Sequence, residues 1–513
     1  MSKRPEQVDR GRRRFMQSAL ALSAADLAAD APRPAARNAG AVATENRKPG
    51  ALDWQLTRVK LDGRTNAFRS PWIEGYCSHQ SLEAGQTLQI FASTNPPARF
   101  GIEIYRMGYY GGRGARLVTK LGPFQGKKQP DPPVGPNRLR ECAWEPLTEL
   151  KIPGDWVSGV YLGRMTILPE NATSGAWQSF IVFIVRDRRR ADILFQCADN
   201  TWQAYNRWPD NYSLYTDPRG AWAGDVDVSF DRPYAKYCQI FEAPQSVGSG
   251  SFLLWEFPLC YWLEQHGYDV TYCSNRDMIE PETASRGKVF LSVGHDEYWD
   301  LRQYDNAMAA IQSGVNMLFL SGNAVCGVTP FRPGASGRPD RIITRAGRYG
   351  GVSEAEKGSM GPFRMEGPNE NLLMGARTIV PANGGGDWIV TLPEHWIFEG
   401  TGVKKGDFIP GLVGWEFHGD PAKLPGLEVV AEGIALKSNG IPAHWTATIY
   451  PGPKNNFVFN AATIWWAQGL SHPPGHMLPW SHWVRPHGPD IRVQRITSNL
   501  LRRALAAKPR RTS

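Results

Sequence analysis

The sequence predicts an α+β protein of more than one domain, in which a β-sandwich precedes an open α/β sheet of parallel strands. The chain has 513 residues, which is too long for one ordinary core and suits two or three domains. Its 53 glycines and 40 prolines favour turns and short strands over helical bundles. The hydrophobic pattern changes from simple alternation to strand–helix units near residue 188, and this change indicates two kinds of sheet.

Residues 1–50 are expected to form an export signal followed by a linker. An arginine run at 12–14 follows a polar start and precedes an apolar stretch from Ser18, which is the order of a twin-arginine signal. A basic disordered tail is the alternative. The expected location is therefore periplasmic or secreted, and residues 30–50 are the expected linker.

Residues 51–188 contain short runs of alternating polar and apolar residues, separated by glycine and proline turns. Runs typical of strands begin at Gln86, Phe100, Ser158 and Ser179. The pattern predicts a β-sandwich of the immunoglobulin or jelly-roll kind. The aromatic residues of this region are expected to pack within the sheets and core rather than form a carbohydrate-binding platform.

Residues 189–500 carry the second pattern, and residues 501–513 form a basic tail. Strands are expected at 191–196, 269–273, 288–293 and 316–321, with helices at 252–266 and 300–313. Strands that alternate with helices form parallel βαβ units. Ligands are therefore expected beyond the carboxyl ends of these strands.

The positive charge of the chain does not indicate a nucleic-acid partner. The formal net charge is +9, but residues 1–48 hold ten basic and five acidic residues, and residues 502–513 hold five basic residues and no acid. The body of the chain therefore lacks the basic surface that nucleic acids require. The longest apolar run, 180–185, is far shorter than the roughly 20 residues of a membrane span, so no membrane span is expected.

The densest polar group of the chain follows a buried strand, where open parallel sheets bind substrates. It comprises a histidine, two carboxylates and a phenol: His295, Asp296, Glu297 and Tyr298. Imidazole shuttles protons near neutral pH, a carboxylate acts as a base, and phenolate is a hard ligand suited to ferric iron. These residues are expected to line the main pocket of the second domain. Alternatively, Asp296 or Asp300 only caps the helix that begins near Leu301.

Neighbouring loops supply candidate substrate contacts. Asn323 follows the next buried strand and is placed to contact a substrate carbonyl, whereas Cys326 is an alternative nucleophile. The aromatic loop at 197–215 either encloses the substrate or packs between the domains. Expected substrate contacts are Asn200, Trp202, Tyr205 and Trp299. Further histidine and glutamate residues occur at 394–396, 415–418 and 444–445, without an HExxH or GxSxG motif.

Four stretches resemble the large (beta) subunit family of N,N-dimethylformamidase. They are 195–208, 256–270, 291–299 and 459–464. The resemblance implies a glutamine-amidotransferase-like α/β domain after the sandwich. It also implies a mononuclear ferric site, which activates water to hydrolyse an amide.

That site is implied to contain two tyrosines and a glutamate. The tyrosine of the His-x-Glu-Tyr motif is Tyr298, and Tyr261 is the nearest phenol in the upstream helix that is expected to supply the second. The glutamate is expected near 347–351, where Arg348 stands instead of an acid and Glu354 follows.

The favoured hypothesis is a metal-dependent amide hydrolase that uses iron. In this hypothesis the metal ligands are Tyr298 and Tyr261, and the catalytic residues are His295, Asp296, Glu297 and Asn323. One alternative is an exported, non-catalytic protein that binds a glycan or a small amide. Another is a metal-free hydrolase that uses His295 and Asp296. The expected partners are a small amide substrate and either a second copy of the chain or a small partner subunit.

Overall fold

The described residues form a mixed α+β protein that consists mostly of sheets, with few helices. The computed structural model describes residues 40–59, 69–70, 72–168, 175–235, 251–351, 363–378, 384–436, 440–476 and 488–506. The arginine run at 12–14 and Glu354 lie outside the described residues, so the predictions made for them stay predictions. No helix within the described ranges has the length and apolar character needed to cross a membrane.

The first part of the chain forms two sheets beside a short helix. Its elements are α1 (Ala41–Glu45), β1 (Glu74–Cys77), β2 (Ser81–Glu83), β3 (Thr87–Ser93), β4 (Arg99–Met107), β5 (Ala115–Gln125), β6 (Thr148–Lys151), β7 (Gly159–Ile167) and β8 (Gln178–Arg186). One sheet has the order β1-β3-β6, and the other has the order β2-β8-β7-β4-β5. Both sheets contribute to one hydrophobic cluster, to which β3 supplies Ile90 and β4 supplies Ile104.

The second part of the chain adds the remaining helices and strands. Up to residue 345 they are β9 (Ala191–Cys197), α2 (Asp199–Ala204), β10 (Val226–Ser229), a π-helical turn (Phe252–Glu256), α3 (Phe257–Gln265), β11 (Val270–Ser274), β12 (Gly287–Gly294), β13 (Tyr298–Trp299), α4 (Leu301–Ser313), β14 (Asn316–Ser321), β15 (Gly327–Val328), β16 (Phe331–Arg332) and β17 (Ile342–Arg345). After them come β18 (Gly347–Tyr349), β19 (Met365–Gly367), α5 (Asn371–Met374), β20 (Ala376–Thr378), β21 (Gly385–Ile389), β22 (Phe408–Gly414), β23 (His418–Pro421), β24 (Glu428–Leu436), β25 (Pro442–Pro451), β26 (Phe457–Asn460) and α6 (Ile491–Leu505). Short 3₁₀ turns lie at Tyr110–Gly112, Pro136–Arg138, Asp277–Ile279, Ala284–Arg286, Trp396–Phe398 and Trp466–Gly469.

The largest sheet has the order β11-β9-β12-β14-β26-β25-β24-β21-β22. Pairing is parallel from β11 to β26 and antiparallel from β26 to β22. The predicted strands at 191–196, 269–273, 288–293 and 316–321 coincide with β9, β11, β12 and β14. These four strands pair in parallel, as expected for an open parallel sheet, and the sheet continues beyond β26 in antiparallel strands that the sequence did not predict.

Two features connect the parts of the chain on either side of residue 188. Strand β8 ends in one sheet and β9 begins in another, so the boundary falls between sheets. However, one hydrophobic cluster contains Tyr105 and Val160 from the first part together with Phe195 and Leu263 from the second. The shared core means that the two parts pack closely, and the predicted domain limits remain a prediction.

Candidate metal centre

Three buried, ionisable side chains meet beyond the carboxyl end of β12. His295 and Glu297 follow that strand, and Glu416 comes from the connection between β22 and β23. His295 Nε2 lies 2.6 Å from Glu416 Oε2 and 3.2 Å from Glu297 Oε2. One ligand atom from each residue lies within 4.8 Å of the others. This spacing is suitable for a metal ion held by one imidazole and two carboxylates.

A glycine turn places His295 at this point. Gly294 has a φ of 65°, and a Cβ atom there would lie 2.6 Å from the Cβ of Trp255. Only glycine therefore combines this backbone conformation with the close approach. The imidazole ring lies between Tyr205, whose ring centroid is 4.9 Å away, and Trp255, at 6.0 Å. The two aromatic rings restrict the orientation of His295.

The backbone around the group contains non-glycine residues in the left-handed region. Asn323, Val325, Trp415 and Ala462 have φ values of 50°, 52°, 50° and 60°. Such conformations cost about 1–3 kcal/mol each and concentrate at functional sites. The amide of Val325 donates to the carbonyl oxygen of Asp296 at 3.1 Å, so this strained loop holds the segment that follows β12.

Close backbone contacts hold Glu416 from the other side. A Cβ atom at Gly322 would lie 2.2 Å from the carbonyl oxygen of Glu416, which leaves no room for a larger residue. The Ile464 amide donates to that same oxygen at 3.2 Å. Glu416 is therefore fixed by the segments that follow β14 and β26, the two strands next to β12 in that direction of the sheet.

Three tyrosines surround Glu297. Tyr205 donates to Oε2 and Tyr215 donates to Oε1, both at 2.7 Å. The Tyr205 hydroxyl also lies 2.9 Å from that of Tyr215, and the Tyr298 hydroxyl donates to Tyr215 as well. Burial and then the charge of Glu297 raise the pKa of each phenol. The hydroxyl of Tyr215 is the centre of this network.

Charge interactions dominate the group of His295, Glu297 and Glu416. Burial alone would lower the pKa of His295, but the carboxylates of Glu416 and Glu297 outweigh it and raise that pKa to about 10. Burial raises the pKa of Glu416, although the charge of His295 acts in the opposite direction. Nε2 of His295 and both carboxylate oxygens of Glu416 are buried without an aligned hydrogen bond. The described residues therefore set two buried carboxylates against one imidazole.

Comparison with known protein families identifies the chain. The family model for N,N-dimethylformamidase beta subunit-like proteins, C-terminal region, matches residues 101–478, which is more than half of the sequence. The chain belongs to this family. The match covers the whole crevice, including Glu416, and confirms the resemblance found in the sequence motifs.

Other comparisons add little. No curated protein matches the sequence significantly. A solved family 123 glycoside hydrolase from Clostridium perfringens, described in a study of glycolipid glycan hydrolysis, is 11% identical with a TM-score of 0.11. That match covers 25% of this chain and 27% of the other, or about a quarter of its length. Because this likeness is so low, it supports no statement about fold or function.

Within this dimethylformamidase-like chain, Asp296 belongs to a separate polar network. Its carboxylate accepts from Gln196 at 2.5 Å, from Ser292 at 2.7 Å and from Asn275 at 3.1 Å. Burial raises its pKa. The helix-cap alternative applies to Asp300, whose Oδ1 accepts from the amide of Arg302 at 2.9 Å, and the structure gives Asp296 no such contact.

The predicted substrate contacts lie in different environments. Asn200 donates from Nδ2 to the carbonyl oxygen of Tyr298 at 3.0 Å. Trp202 donates to Glu256 at 2.6 Å, and Trp299 packs in the core with its ring 6.4 Å from that of Phe290. Of the four predicted substrate contacts, the structure places Tyr205 directly against the metal-ligand candidates.

A small cavity lies beside β1 and α2, lined by residues that include Cys77, Asp199, Trp202 and Arg341, and the prediction that the charged group lines the main pocket stays a prediction. His295 is only 4% exposed, and Glu297 and Glu416 are fully buried. Among the described residues, the charged group is therefore a closed crevice rather than an open pocket.

Asn323, predicted from the sequence as a contact to a substrate carbonyl, lies beside Glu416, and its contact with substrate stays a prediction. Its Oδ1 accepts from the Thr378 hydroxyl at 2.7 Å, which orients the amide, and its interaction with Glu416 lowers the pKa of that carboxyl. The alternative nucleophile, Cys326, has a thiol that is hydrogen-bonded by Arg348 at 2.6 Å. Burial raises the pKa of this thiol well above its usual range, which is unfavourable for a thiolate nucleophile.

The structure does not bring Tyr261 to the group. Its ring packs on Tyr109 at 5.1 Å and on Phe257 at 6.1 Å, because this position of α3 faces the turn between β4 and β5. The phenol that touches Tyr298 is Tyr215. Sequence analysis noted Glu416 only among scattered candidates and Tyr215 only as the end of an aromatic loop, because neither lies near the His-x-Glu-Tyr motif in sequence.

Proposed function

We propose that the protein is a metal-dependent hydrolase of small amides, with its metal held by His295, Glu297 and Glu416. The observation that carries this proposal is the convergence of two buried carboxylates on one imidazole, with a ligand atom of each residue within 4.8 Å of the others. Two acids that face a single base leave buried negative charge unbalanced, which is costly in a protein interior. A cation within reach of all three residues would balance that charge, so the residues fit a metal.

The donor set favours a hard metal ion, and we propose ferric iron. Carboxylate and phenol oxygens predominate around the single imidazole, and hard ions prefer such donors. In this proposal the phenols of Tyr298 and Tyr215 would bind the iron together with His295, Glu297 and Glu416. Tyr215 takes the place of Tyr261, and Glu416 takes the place of the glutamate that was expected near 347–351.

The residues of the crevice supply distinct functions in this proposal. A bound metal acts as a Lewis acid, which polarises a carbonyl and lowers the pKa of water. Asn323, whose amide is oriented by Thr378, contacts the substrate carbonyl. Tyr205 and Trp255 fix the ring of His295 and exclude bulk water. The hydrogen bond from Tyr205 keeps Glu297 oriented toward the group.

Finer features of the architecture also belong to the proposal. The hydrophobic cluster shared by the sheets of β3 and β4 supports a β-sandwich in residues 51–188. The parallel strands β11, β9, β12 and β14 support an amidotransferase-like sheet. The family description names a beta subunit, which supports a small partner subunit. Twin-arginine export to the periplasm rests on the sequence alone.

The test is amide hydrolysis by the purified protein, before and after removal of metal by chelation. N,N-dimethylformamide and simple formamides are the first substrates to assay. We expect the protein to hydrolyse these amides, to lose this activity on chelation and to regain it with ferric iron. The variant Glu416→Gln should lower the activity at least 100-fold. The matched control is Glu256→Gln, because Glu256 is equally buried but bonds to Trp202 outside the crevice.

The control should keep metal and activity within a few-fold of the wild type. A wild-type protein that lacks stoichiometric metal but binds a glycan or an amide would support the non-catalytic alternative. Hydrolysis that survives complete metal removal would instead support the metal-free alternative.

A further inference from the structure

A buried arginine lies next to the tyrosine network, and no carboxylate in the described ranges forms an ion pair with it. Arg345 ends β17 and is 1% exposed. Within the described part of the chain, its hydrogen bonds go to main-chain carbonyl oxygens, and its Nη1 is buried without a hydrogen-bond partner. Buried arginines without an acid are rare, so this residue requires an explanation.

The carbonyl groups that Arg345 contacts lie at the two ends of one segment. Nη2 donates to Leu214 at 2.7 Å and to Ala223 at 2.6 Å, and Nε donates to Ala223 at 3.0 Å. The guanidinium therefore joins the start and the end of residues 214–223, here called the Tyr215 segment. A planar group with several fixed donors suits this double contact, which a single ammonium cannot reproduce.

The same guanidinium also packs on the aromatic side chains of that segment. Its Cζ atom lies 5.2 Å from the ring centroid of Tyr215 and 5.7 Å from that of Trp222. The rings of Tyr215 and Trp222 meet edge to face at 5.3 Å. Arg345 thus contacts both the backbone ends and the two large side chains of the Tyr215 segment.

We infer that Arg345 is a positioning residue that holds Tyr215 against Glu297 and Tyr298. The effect of Arg345 on metal binding rests on the proposed function, because Tyr215 binds iron only if the crevice holds a metal. The hydroxyl of Tyr215 is the group that links Glu297, Tyr205 and Tyr298. Loss of Arg345 would release both ends of the segment and would withdraw this hydroxyl from the crevice.

Arg341 offers a matched control. It is also a buried arginine, 2% exposed, and it directly precedes β17. It bonds to Asp231 at 2.9 Å and to the carbonyl oxygen of Cys77 at 2.9 Å, and it packs on the ring of Phe230 at 5.7 Å. Arg341→Met should disturb the interior to a similar degree without touching the Tyr215 segment.

The experiment is a titration of each metal-free variant with ferric nitrilotriacetate, read from iron uptake and the visible tyrosinate-to-iron band. Arg345→Met should weaken ferric binding about 10- to 100-fold, as loss of a residue that orients a metal ligand typically does. Arg341→Met should change binding by less than about 3-fold on the same scale. If Arg345→Met does not fold, Arg345→Lys retains the charge and should show a smaller loss of the same sign.

Combination with Tyr215→Phe tests whether Arg345 acts through Tyr215. The double variant Arg345→Met/Tyr215→Phe should bind ferric iron no more weakly than Tyr215→Phe alone, because the two changes remove one interaction. Losses that multiply, or an equal loss in Arg341→Met, would overturn the inference.

Hydrogen exchange separates this inference from the proposed function. In the metal-free protein, the amides of residues 214–223 should exchange faster in Arg345→Met than in Arg341→Met. A wild-type protein that binds no iron would refute the proposed metal function, but faster exchange confined to Arg345→Met would still support the positioning role. Equal exchange in the two variants would refute that role.

Discussion

Two buried charged groups of this protein differ in how completely their atoms are hydrogen-bonded. Arg106 of β4 and Glu264 of α3 are both fully buried and pair at 2.9 Å. Both oxygens of Glu264 have further partners, since Tyr272 donates at 2.9 Å and Asn46 at 2.7 Å. In the crevice, by contrast, His295 Nε2 lies 2.6 Å from Glu416 Oε2, but neither this nitrogen nor either oxygen of Glu416 has an aligned hydrogen bond to a described residue.

The comparison separates a structural ion pair from a candidate binding site. Burial of charge requires compensation, and the pair of Arg106 and Glu264 receives it from the protein itself. This pair also connects the two parts of the chain across residue 188. In the crevice, the single imidazole of His295 faces the two carboxylates of Glu297 and Glu416, so the described residues compensate the charge only in part, which is the expected state of a site that a cation completes.

The largest effect on stability is expected at the fully hydrogen-bonded ion pair of Arg106 and Glu264. Glu264→Ala leaves Arg106 buried without its acid, so the free energy of unfolding should fall by about 3–5 kcal/mol. Urea denaturation measures this loss, with Glu399→Ala on the exposed pair with Arg502 as the control. A loss in Glu264→Ala no greater than in the control would remove the distinction between the two buried groups.

An intermediate effect is expected at His476, which is buried with only one of its ring nitrogens bonded. Nε2 contacts the carbonyl oxygen of Leu254 at 3.3 Å, whereas Nδ1 has no hydrogen-bond partner among the described residues. Burial lowers the pKa of His476 from 6.5 to about 3. Below pH 6.5 His476 therefore binds a proton in the unfolded chain but stays neutral in the folded protein. The free energy of unfolding consequently decreases as the pH falls.

Between pH 7 and pH 5 this residue should account for about 2 kcal/mol of the decline in unfolding free energy. The variant His476→Gln should show a correspondingly flatter profile over that range. Parallel profiles for the wild type and the variant would show that the pKa of His476 is the same in the folded and unfolded states.

The smallest effect on stability is expected in the crevice of the metal-free protein. Glu416→Gln removes one of the two carboxylates that face His295 and leaves Glu297 paired with it, so we expect a change within about 1 kcal/mol, and in the stabilising direction. Chemical denaturation after chelation measures it. A loss as large as that of Glu264→Ala would show that the crevice is a structural ion pair.

Local patterns account for the part of this site that sequence analysis predicted. The buried run of β12, the glycine at its end and the polar residues after it place His295, Glu297 and Tyr298 at the sheet edge. Asn323 was found by the same reasoning, because it follows the neighbouring strand β14. Each of these predictions uses only a strand and the residues directly after it.

The rest of the site depends on the topology of the whole sheet. Glu416 reaches the crevice from the antiparallel half, which the sequence did not predict. Tyr215 lies at the crevice because Arg345 contacts the segment that contains it. No pattern in the nearby sequence predicts this contact, since Arg345 is distant from that segment along the chain. Tyr261 was predicted as the second metal ligand because it is the nearest phenol in the upstream helix. In the structure its ring packs on Tyr109, in the turn between β4 and β5. These residues could not be predicted because their positions depend on contacts between segments that are distant in the sequence.

The metal content of the purified wild-type protein tests the central claim most directly. We predict close to one bound metal ion per chain, with a visible tyrosinate-to-iron band if that ion is ferric iron. Both should be absent in Glu416→Gln and present in Glu256→Gln. A wild-type protein that remains metal-free after incubation with ferric iron, while correctly folded, would contradict the assignment of His295, Glu297 and Glu416 as a metal centre.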